Sequence, residues 1–329
     1  NTASLICVAI ILTVIVVVMV LGNLLVIISL ARFKHLRTVS NSLIGNLAAS
    51  DFLLAITVLP FSSVNECLGR WVFGRITCNF WLMADVMYCT ASIWNICVIA
   101  LDRYTATLFP LWYRERRSNK QACLYVGAIW MIAVVTCAPP LFGWNDLSKN
   151  YQGLDNLTGH IYVCLLFDTP SYVIYSACVS FYIPFLLTVL LYVQIFIVLR
   201  KRLKLIREKN SKRKAVGMMA WVQRRPTKLN LTGAPKVISN IRIDKRQRAD
   251  KREIRATIRM AVVIAAFCTM WIGFFTLYLI EGVCKACIVP KTVGAFVFWL
   301  GYTNSAINPI LYAIFNVEFR KAFKKVLGI

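Results

Sequence analysis

Long stretches without charge limit this chain more sharply than any other property. Residues 1–31, 121–145, 169–199, 260–280 and 292–317 hold no Asp, Glu, Lys or Arg. Between Arg37 and Glu66 the only such residue is Asp51, and between Arg75 and Asp102 it is Asp85. Each stretch reaches about 20 residues, enough to cross roughly 30 Å of hydrocarbon as a helix. A soluble domain of 329 residues would rarely be 59% hydrophobic and only 16% charged. The pattern predicts an all-α membrane protein, a seven-transmembrane helix bundle.

The formal charge of +24 invites a nucleic-acid reading, which its distribution rejects. With residue 1 outside, segments 32–37, 103–120, 200–259 and 320–325 lie inside and carry 33 of the 38 Lys and Arg. Only Arg70, Arg75, Lys149, Lys285 and Lys291 lie outside. This is the positive-inside pattern, and it suits an anionic inner leaflet. We expect a multi-pass protein of the plasma membrane, N-terminus extracellular and C-terminus cytoplasmic, in contact with lipid and not with nucleic acid. Residues 4–31 read as the first span rather than a cleavable leader, being too long and lacking a basic flank.

The expected spans are 4–32, 38–66, 75–107, 121–143, 170–204, 250–282 and 290–314, in one domain covering 1–329. An eighth, short helix is expected at 317–328, where Phe319, Ala322, Phe323 and Val326 alternate with Arg320, Lys321, Lys324 and Lys325. Such an amphipathic pattern fits a helix lying on the inner membrane surface. Residues 205–250 are basic and contain Pro226, Gly233 and Pro235, which predicts a flexible third inner loop.

Cysteines sort by side of the membrane. Cys67, Cys78, Cys164, Cys284 and Cys287 fall at or near the outer surface, where disulfides persist. A Cys78–Cys164 bridge would pin the second outer loop over the bundle, and Cys284–Cys287 would close a small ring. The other seven sit within spans as packing residues. Asn156-Leu157-Thr158 is a candidate glycosylation site in the second outer loop.

A charge inside a span costs about 3 kcal/mol or more, so a functional reading comes first. Asp85 lies roughly two turns into the third span, within reach of an outer cavity. Trp271, Phe274, Phe275 and Tyr278 on the sixth span, with Tyr302 on the seventh, offer rings around it. One carboxylate in an aromatic cage suits a protonated amine; the competing reading is a structural ion pair. Ser176 and Ser180 are four apart, so their hydroxyls share a face and suit a phenol or catechol ring. They equally suit bonds to their own helix backbone. Asp51, Ser92, Asn304, Ser305 and Asn308 gather hard oxygen ligands at mid-membrane depth, fitting an allosteric sodium ion or an ion-free polar core. No other metal and no cofactor is expected.

At the inner end of the third span, Asp102-Arg103-Tyr104 places a guanidinium at the membrane edge. Arg103 is 18 residues from Asp85, five turns, so both face the bundle interior from opposite ends. Glu253 stands 18 residues before Trp271, and an Arg103–Glu253 pair would latch the third and sixth spans in a two-state element. Pro184 and Pro309 supply bending points in the fifth and seventh spans.

With these residues in place, the chain resembles a class A (rhodopsin-like) G-protein-coupled receptor over nearly its whole length. The motifs are Gly22-Asn23, Leu47-Ala48-Ala49-Ser50-Asp51, Asp102-Arg103-Tyr104, Trp130, Pro184, Trp271 and Asn308-Pro309-Ile310-Leu311-Tyr312. Asp85, Trp299 and Tyr302 narrow the resemblance to the aminergic group. DVMYCTASIWN (85–95), DRYTA (102–106), VIYSACVSFYIPF (173–185) and FNVEFRKAF (315–323) resemble most those of D-two-like dopamine receptors, the chain reading as an invertebrate or otherwise divergent member. The resemblance implies dopamine as ligand, a Gi/o-family G protein that lowers cyclic AMP, and arrestin and receptor kinases as partners. It implies Asp85 for the amine, Ser176 and Ser180 for ring hydroxyls, and Val86, Cys89, Thr90, Trp271, Phe274 and Phe275 lining the site. Ile93, Pro184 and Phe267 become the activation connector, with Tyr312 among the switch residues, and Arg103, Leu111 and Tyr192 serve the G-protein side. Four positions depart from that pattern: Ala177 for a serine, Tyr278 for a histidine, Gly273 for a proline and Met270 for a cysteine. Ala177 and Tyr278 also suit octopamine, with tyramine and serotonin as further alternatives.

Other classes fit less well. His35 and His160 lie on opposite sides of the membrane, and no nucleophile triad or metal-spaced cluster supports an enzyme. A transporter would show internal repeats, and none is visible.

Overall fold

Where charge is absent, the chain is helical, because a backbone in hydrocarbon must satisfy every N–H and C=O internally. The computed structural model describes residues 2–116, 118–144, 151–156, 159–167, 169–222, 257–258, 261–262, 264–284, 286–287 and 289–329. Its helices are α1 (Thr2–Arg32), α2 (Val39–Thr57), α3 (Leu59–Leu68), α4 (Gly74–Leu108), α5 (Pro110–Arg116) and α6 (Asn119–Cys137). They continue as α7 (Pro170–Ala177), α8 (Ile183–Val222), α9 (Ile264–Val283), α10 (Lys291–Phe315) and α11 (Val317–Leu327).

The expected second span is two helices, α2 and α3, because Pro60 in the first turn of α3 has no N–H to continue the ladder. Thr38 caps α2 by accepting from the Asn41 amide, and Gly69, at φ 62°, closes α3 in the left-handed region. The fourth span ends at Cys137, short of the expected 143, where Pro139 and Pro140 force a 3-10 turn. The fifth span is interrupted by a π-turn at Cys178–Tyr182 and then runs on to Val222, so the loop expected from 205 begins as helix. The rest of that loop, with Pro226, Gly233 and Pro235, lies outside the described residues, as does 250–256 of the expected sixth span. Two elements were not anticipated: α5 in the second inner loop, opened by Pro110, and an antiparallel hairpin in the second outer loop. The hairpin pairs β1 (Tyr151–Asn156) with β2 (Gly159–Cys164), Tyr151 opposite Cys164.

Among the described residues, six spans are long and apolar enough to cross a bilayer. The seventh, α10, has 25 residues but carries Thr303, Asn304, Ser305 and Asn308, which lower its hydropathy. Apolar residues fill the interior and also cover the outside, while several polar groups are buried. Leu5, Ile10, Val14 and Leu21 are exposed on α1, while Asn23, Asp51, Asn95 and Asn308 are buried. Lipid makes apolar exposure free, so close packing and polar contacts hold the helices together.

The α1–α10 contact shows this. Pro309 leaves the carbonyl of Ser305, four residues earlier, without its helical donor. The Asn23 side-chain amide takes that carbonyl at 3.1 Å, as well as Met19 O at 2.9 Å. A Cβ on Gly22 would stand 3.0 Å from Pro309 Cγ, so glycine there permits the approach. At the inner end, Asn316 caps α11 by accepting from the Glu318 and Phe319 amides. Phe319, Ala322 and Phe323 are buried, Phe319 lying 6.0 Å from the Tyr312 ring, so the apolar face of α11 packs on the bundle while its lysines point away.

Candidate functional site

Asp85 sits about three turns down α4 from Gly74, on the buried face. Its Oδ1 accepts from the Tyr302 hydroxyl at 2.6 Å and from the Cys89 thiol at 3.4 Å. Among the described residues, Arg103–Asp102 is the only ion pair, so Asp85 has no basic partner there. It is 7% exposed and opens on a cavity with an empty volume of about 470 Å³.

Val86, Cys89 and Thr90 line this cavity from α4, Ser176 and Ser180 from the fifth span, and Phe274, Phe275 and Tyr278 from α9. Trp271, Trp299 and Tyr302 do not line it but stand behind it. Trp271 lies 5.8 Å from both the Phe274 and Phe275 rings and 6.5 Å from Tyr302, which is 5.7 Å from Trp299. A Cβ on Gly301 would meet the Trp271 ring at 3.0 Å, so that glycine sets how closely α10 approaches. Leu82, Leu166 and Phe167 also line the cavity and were missed in the sequence. The available signal for the last two was Cys164, just upstream. Its bridge to Cys78 (Cα–Cα 5.7 Å) fixes the loop over α4, and Trp71 N–H bonds Tyr162 O at 2.8 Å. Cys284 and Cys287 are also bridged, Cα atoms 5.4 Å apart. Asn156 ends β1; the rest of its glycosylation motif lies outside the described residues.

Both serines reach the cavity, through a distorted helix. In the π-turn, Ile183 N–H bonds Cys178 O, five residues back, which frees the carbonyl of Val179. Trp94 on α4 donates its indole N–H to that carbonyl at 2.9 Å. Pro184, buried one residue further on, cannot restore the ladder. Ser180 shares a hydrogen bond with Thr90 at 2.7 Å, while Ser176 bonds Val173 O at 3.2 Å and faces the Tyr278 hydroxyl at 3.1 Å. The backbone bond and the cavity-facing contact thus coexist at Ser176. Ala177 is fully buried beside it.

Deeper in the bundle, Asp51 Oδ1 accepts from Ser92 at 2.8 Å and Ser305 at 2.9 Å, and its Oδ2 from Asn308 Nδ2 at 2.9 Å. Asn304 is buried nearby in α10 without a bond to Asp51. Asn308 Oδ1 has no hydrogen-bond partner among the described residues.

At the inner end, Arg103 folds back on Asp102 at 2.5 Å and also contacts Ser40 of α2. The Tyr113 hydroxyl of α5 donates to Asp102 at 2.8 Å, and Ser40 donates to its other oxygen at 2.6 Å. This cluster joins α2, α4 and α5. Burial and the neighbouring Asp102 carboxylate hold the Tyr113 phenol above its ordinary pKa. Glu253, the expected partner of Arg103, lies outside the described residues. Leu111 stands 67% exposed on α5, while Ile93, Pro184, Phe267 and Tyr312 are buried. Phe267 is 6.4 Å from the Trp271 ring, and the hydroxyl of the half-buried Tyr192 has no hydrogen-bond partner among the described residues.

Known proteins resemble the chain along its whole length. It is 35% identical over 329 residues to the alpha-1A adrenergic receptor of Oryzias latipes, covering 100% of this chain and 68% of that one. It is 34% identical over 312 residues to the human alpha-1A adrenergic receptor, covering 94% and 65%. It is 29% identical over 482 aligned positions to octopamine receptor 2 of Lymnaea stagnalis, covering 98% and 83%. The chain thus spans about two-thirds of the length of these adrenergic receptors. The match to the rhodopsin-family pattern covers residues 22–312, from the glycine packed on Pro309 to the tyrosine packed on Phe319, and the chain belongs to that family of seven-transmembrane receptors, not to an enzyme family.

Proposed function

We propose that this receptor detects a protonated phenylethanolamine, a ligand of the octopamine and noradrenaline type, at the cavity under the second outer loop. The observation that carries this is Asp85, a buried carboxylate at a cavity wall without a basic partner among the described residues. A buried carboxylate is stabilised by a cation, and an ammonium beside Phe274, Phe275 and the Tyr302 hydroxyl supplies one. The ring would reach towards Ser176, Ser180 and Tyr278, whose hydroxyls lie across the cavity. Relatives are named for octopamine and for adrenergic ligands, and octopamine and noradrenaline carry a benzylic hydroxyl that dopamine lacks. Dopamine, favoured by the resemblance of residues 85–95 and 173–185, is the second reading.

The signal would leave through the inner ends of α4 and α9 to a heterotrimeric G protein meeting Arg103 and Leu111, with the N-terminus outside. Gi/o coupling rests on the resemblance alone. Sodium at Asp51 is supported by the oxygen-rich donor set of Asp51, Ser92, Ser305 and the unpartnered Asn308 Oδ1. The test is a panel of octopamine, noradrenaline, tyramine, dopamine and serotonin on cells expressing the chain, with cyclic AMP and nucleotide exchange on separate G-protein classes as readouts. Octopamine or noradrenaline acting at lower concentration than dopamine supports the reading, and the reverse order overturns it. Uptake of radiolabelled amine into vesicles without nucleotide exchange would replace it with a transporter.

A further inference from the structure

The amine site leaves unused a trough larger than its own cavity. It runs between the Phe185–Leu199 stretch of α8 and the first turns of α9 and has an empty volume of about 980 Å³. Phe185, Val189, Val193 and Phe196 form its α8 wall, and Ile264, Ala265 and Cys268 lie opposite on α9. The α8 residues are spaced four, four and three apart, so they form one stripe along one helix face. From Phe185 to Phe196 that stripe is roughly 16 Å long at 1.5 Å per residue. One leaflet is half of the roughly 30 Å hydrocarbon core, so the stripe matches its depth.

The same face continues into charge. Arg200 and Lys204 follow at further intervals of four, both exposed. The Arg200 guanidinium lies over the Phe196 ring, 4.3 Å from its centre, which places the cation at the inner mouth of the trough. No acidic residue intervenes on the fifth span before Glu208. Arg202, turned to another face, is already bonded to Thr107 O at 2.5 Å.

We propose that this trough binds an acidic phospholipid, an acyl chain against the Phe185–Phe196 stripe and the phosphate on Arg200 and Lys204. A chain-length apolar wall ending in cations complements a molecule with those two parts in that order. The inner leaflet, where the basic segments lie, is rich in such lipids. A sterol would leave the cations without a partner. A second copy docked symmetrically would bring the same cations face to face.

The experiment uses the full chain in nanodiscs and in detergent, with lipid retention read by native mass spectrometry. Palmitoyl-oleoyl phosphatidylserine should be retained at least fivefold better than palmitoyl-oleoyl phosphatidylcholine. Arg200→Gln and Lys204→Gln, both on exposed side chains, should each reduce that preference by about fivefold, from roughly 1 kcal/mol per surface cation. Ala265→Trp, which fills the trough, should lower retention of both lipids. Equal retention of the two lipids by the unmodified chain would overturn the proposal. So would a preference that survives loss of both charges, or phosphatidylserine retention unchanged by Ala265→Trp, which would mean headgroup contact alone. A twofold mass that excludes lipid would assign the trough to a second copy and overturn it as well.

Discussion

Replacing Asp85 with asparagine removes one charge and little else. The amide oxygen still accepts from the Tyr302 hydroxyl, now 2.6 Å away, so the contact between α4 and α10 is retained. What is lost is the attraction between a carboxylate 7% exposed and the ligand ammonium. Truncating one side of a buried, hydrogen-bonded charge pair costs about 2–5 kcal/mol. At about 1.4 kcal/mol per tenfold, that is a loss of roughly 30-fold to several thousand-fold in affinity. The assay is competition binding with a protonated amine on membranes carrying the wild-type chain or Asp85→Asn. A thermal-shift measurement without ligand runs in parallel, to show that the variant is folded. Because the buried charge is also a burden in the empty receptor, the unliganded variant should be as stable as wild type or more so. Affinity within threefold of wild type, in a folded variant, would refute the reasoning and move the amine elsewhere. A Tyr302→Phe partner completes a double-mutant cycle, and coupling is expected because the two groups touch.

Three further outcomes follow from the geometry. Ser176→Ala should weaken a ring-hydroxylated amine by roughly twofold to tenfold, from about 0.5–1.5 kcal/mol for one hydrogen bond, and leave a ligand without ring hydroxyls unchanged; competition binding separates the two. Asn23→Ala orphans the Ser305 carbonyl that Pro309 has already freed, and should lower stability by about 1–3 kcal/mol, read as a lower melting temperature in detergent. Cys164→Ser releases the loop that carries Leu166 and Phe167 to the cavity, and should weaken ligand binding more than it weakens α-helical content, comparing radioligand affinity with circular dichroism.

Much of the architecture was legible before any coordinates, because the membrane imposes one demand on every span. An uncharged stretch of sufficient length has to be helical, and the side expected for each loop follows from its lysines and arginines. Asp85, Ser176, Ser180, Phe274, Phe275 and Tyr278 were legible for the same reason: polar or aromatic groups at helical spacing stand out against an apolar background. Both disulfide pairs could be drawn from the cysteines that share the outer surface.

The local breaks were harder to read. Prolines at 60, 139 and 140 were visible, but whether each bends or ends a helix depends on what takes the orphaned backbone groups. The π-turn is decided by Trp94, an indole on another helix that accepts the cost of a freed Val179 carbonyl. Leu166 and Phe167 reach the cavity only because a hairpin and a bridge fold their loop inward.

Sequence alone therefore determined the seven-span bundle and the chemistry available along its spans, and gives an expected orientation from its charge, since those depend on local composition and helical period. Tertiary structure decided which of those groups meet. Arg103 lies on Asp102 and Ser40, Asp85 holds Tyr302, and Asn23 reaches the carbonyl of Ser305 across 282 residues. Such pairings depend on how closely helices far apart in the chain approach, set by Gly22 on Pro309 and Gly301 on Trp271, and no local pattern encodes that distance.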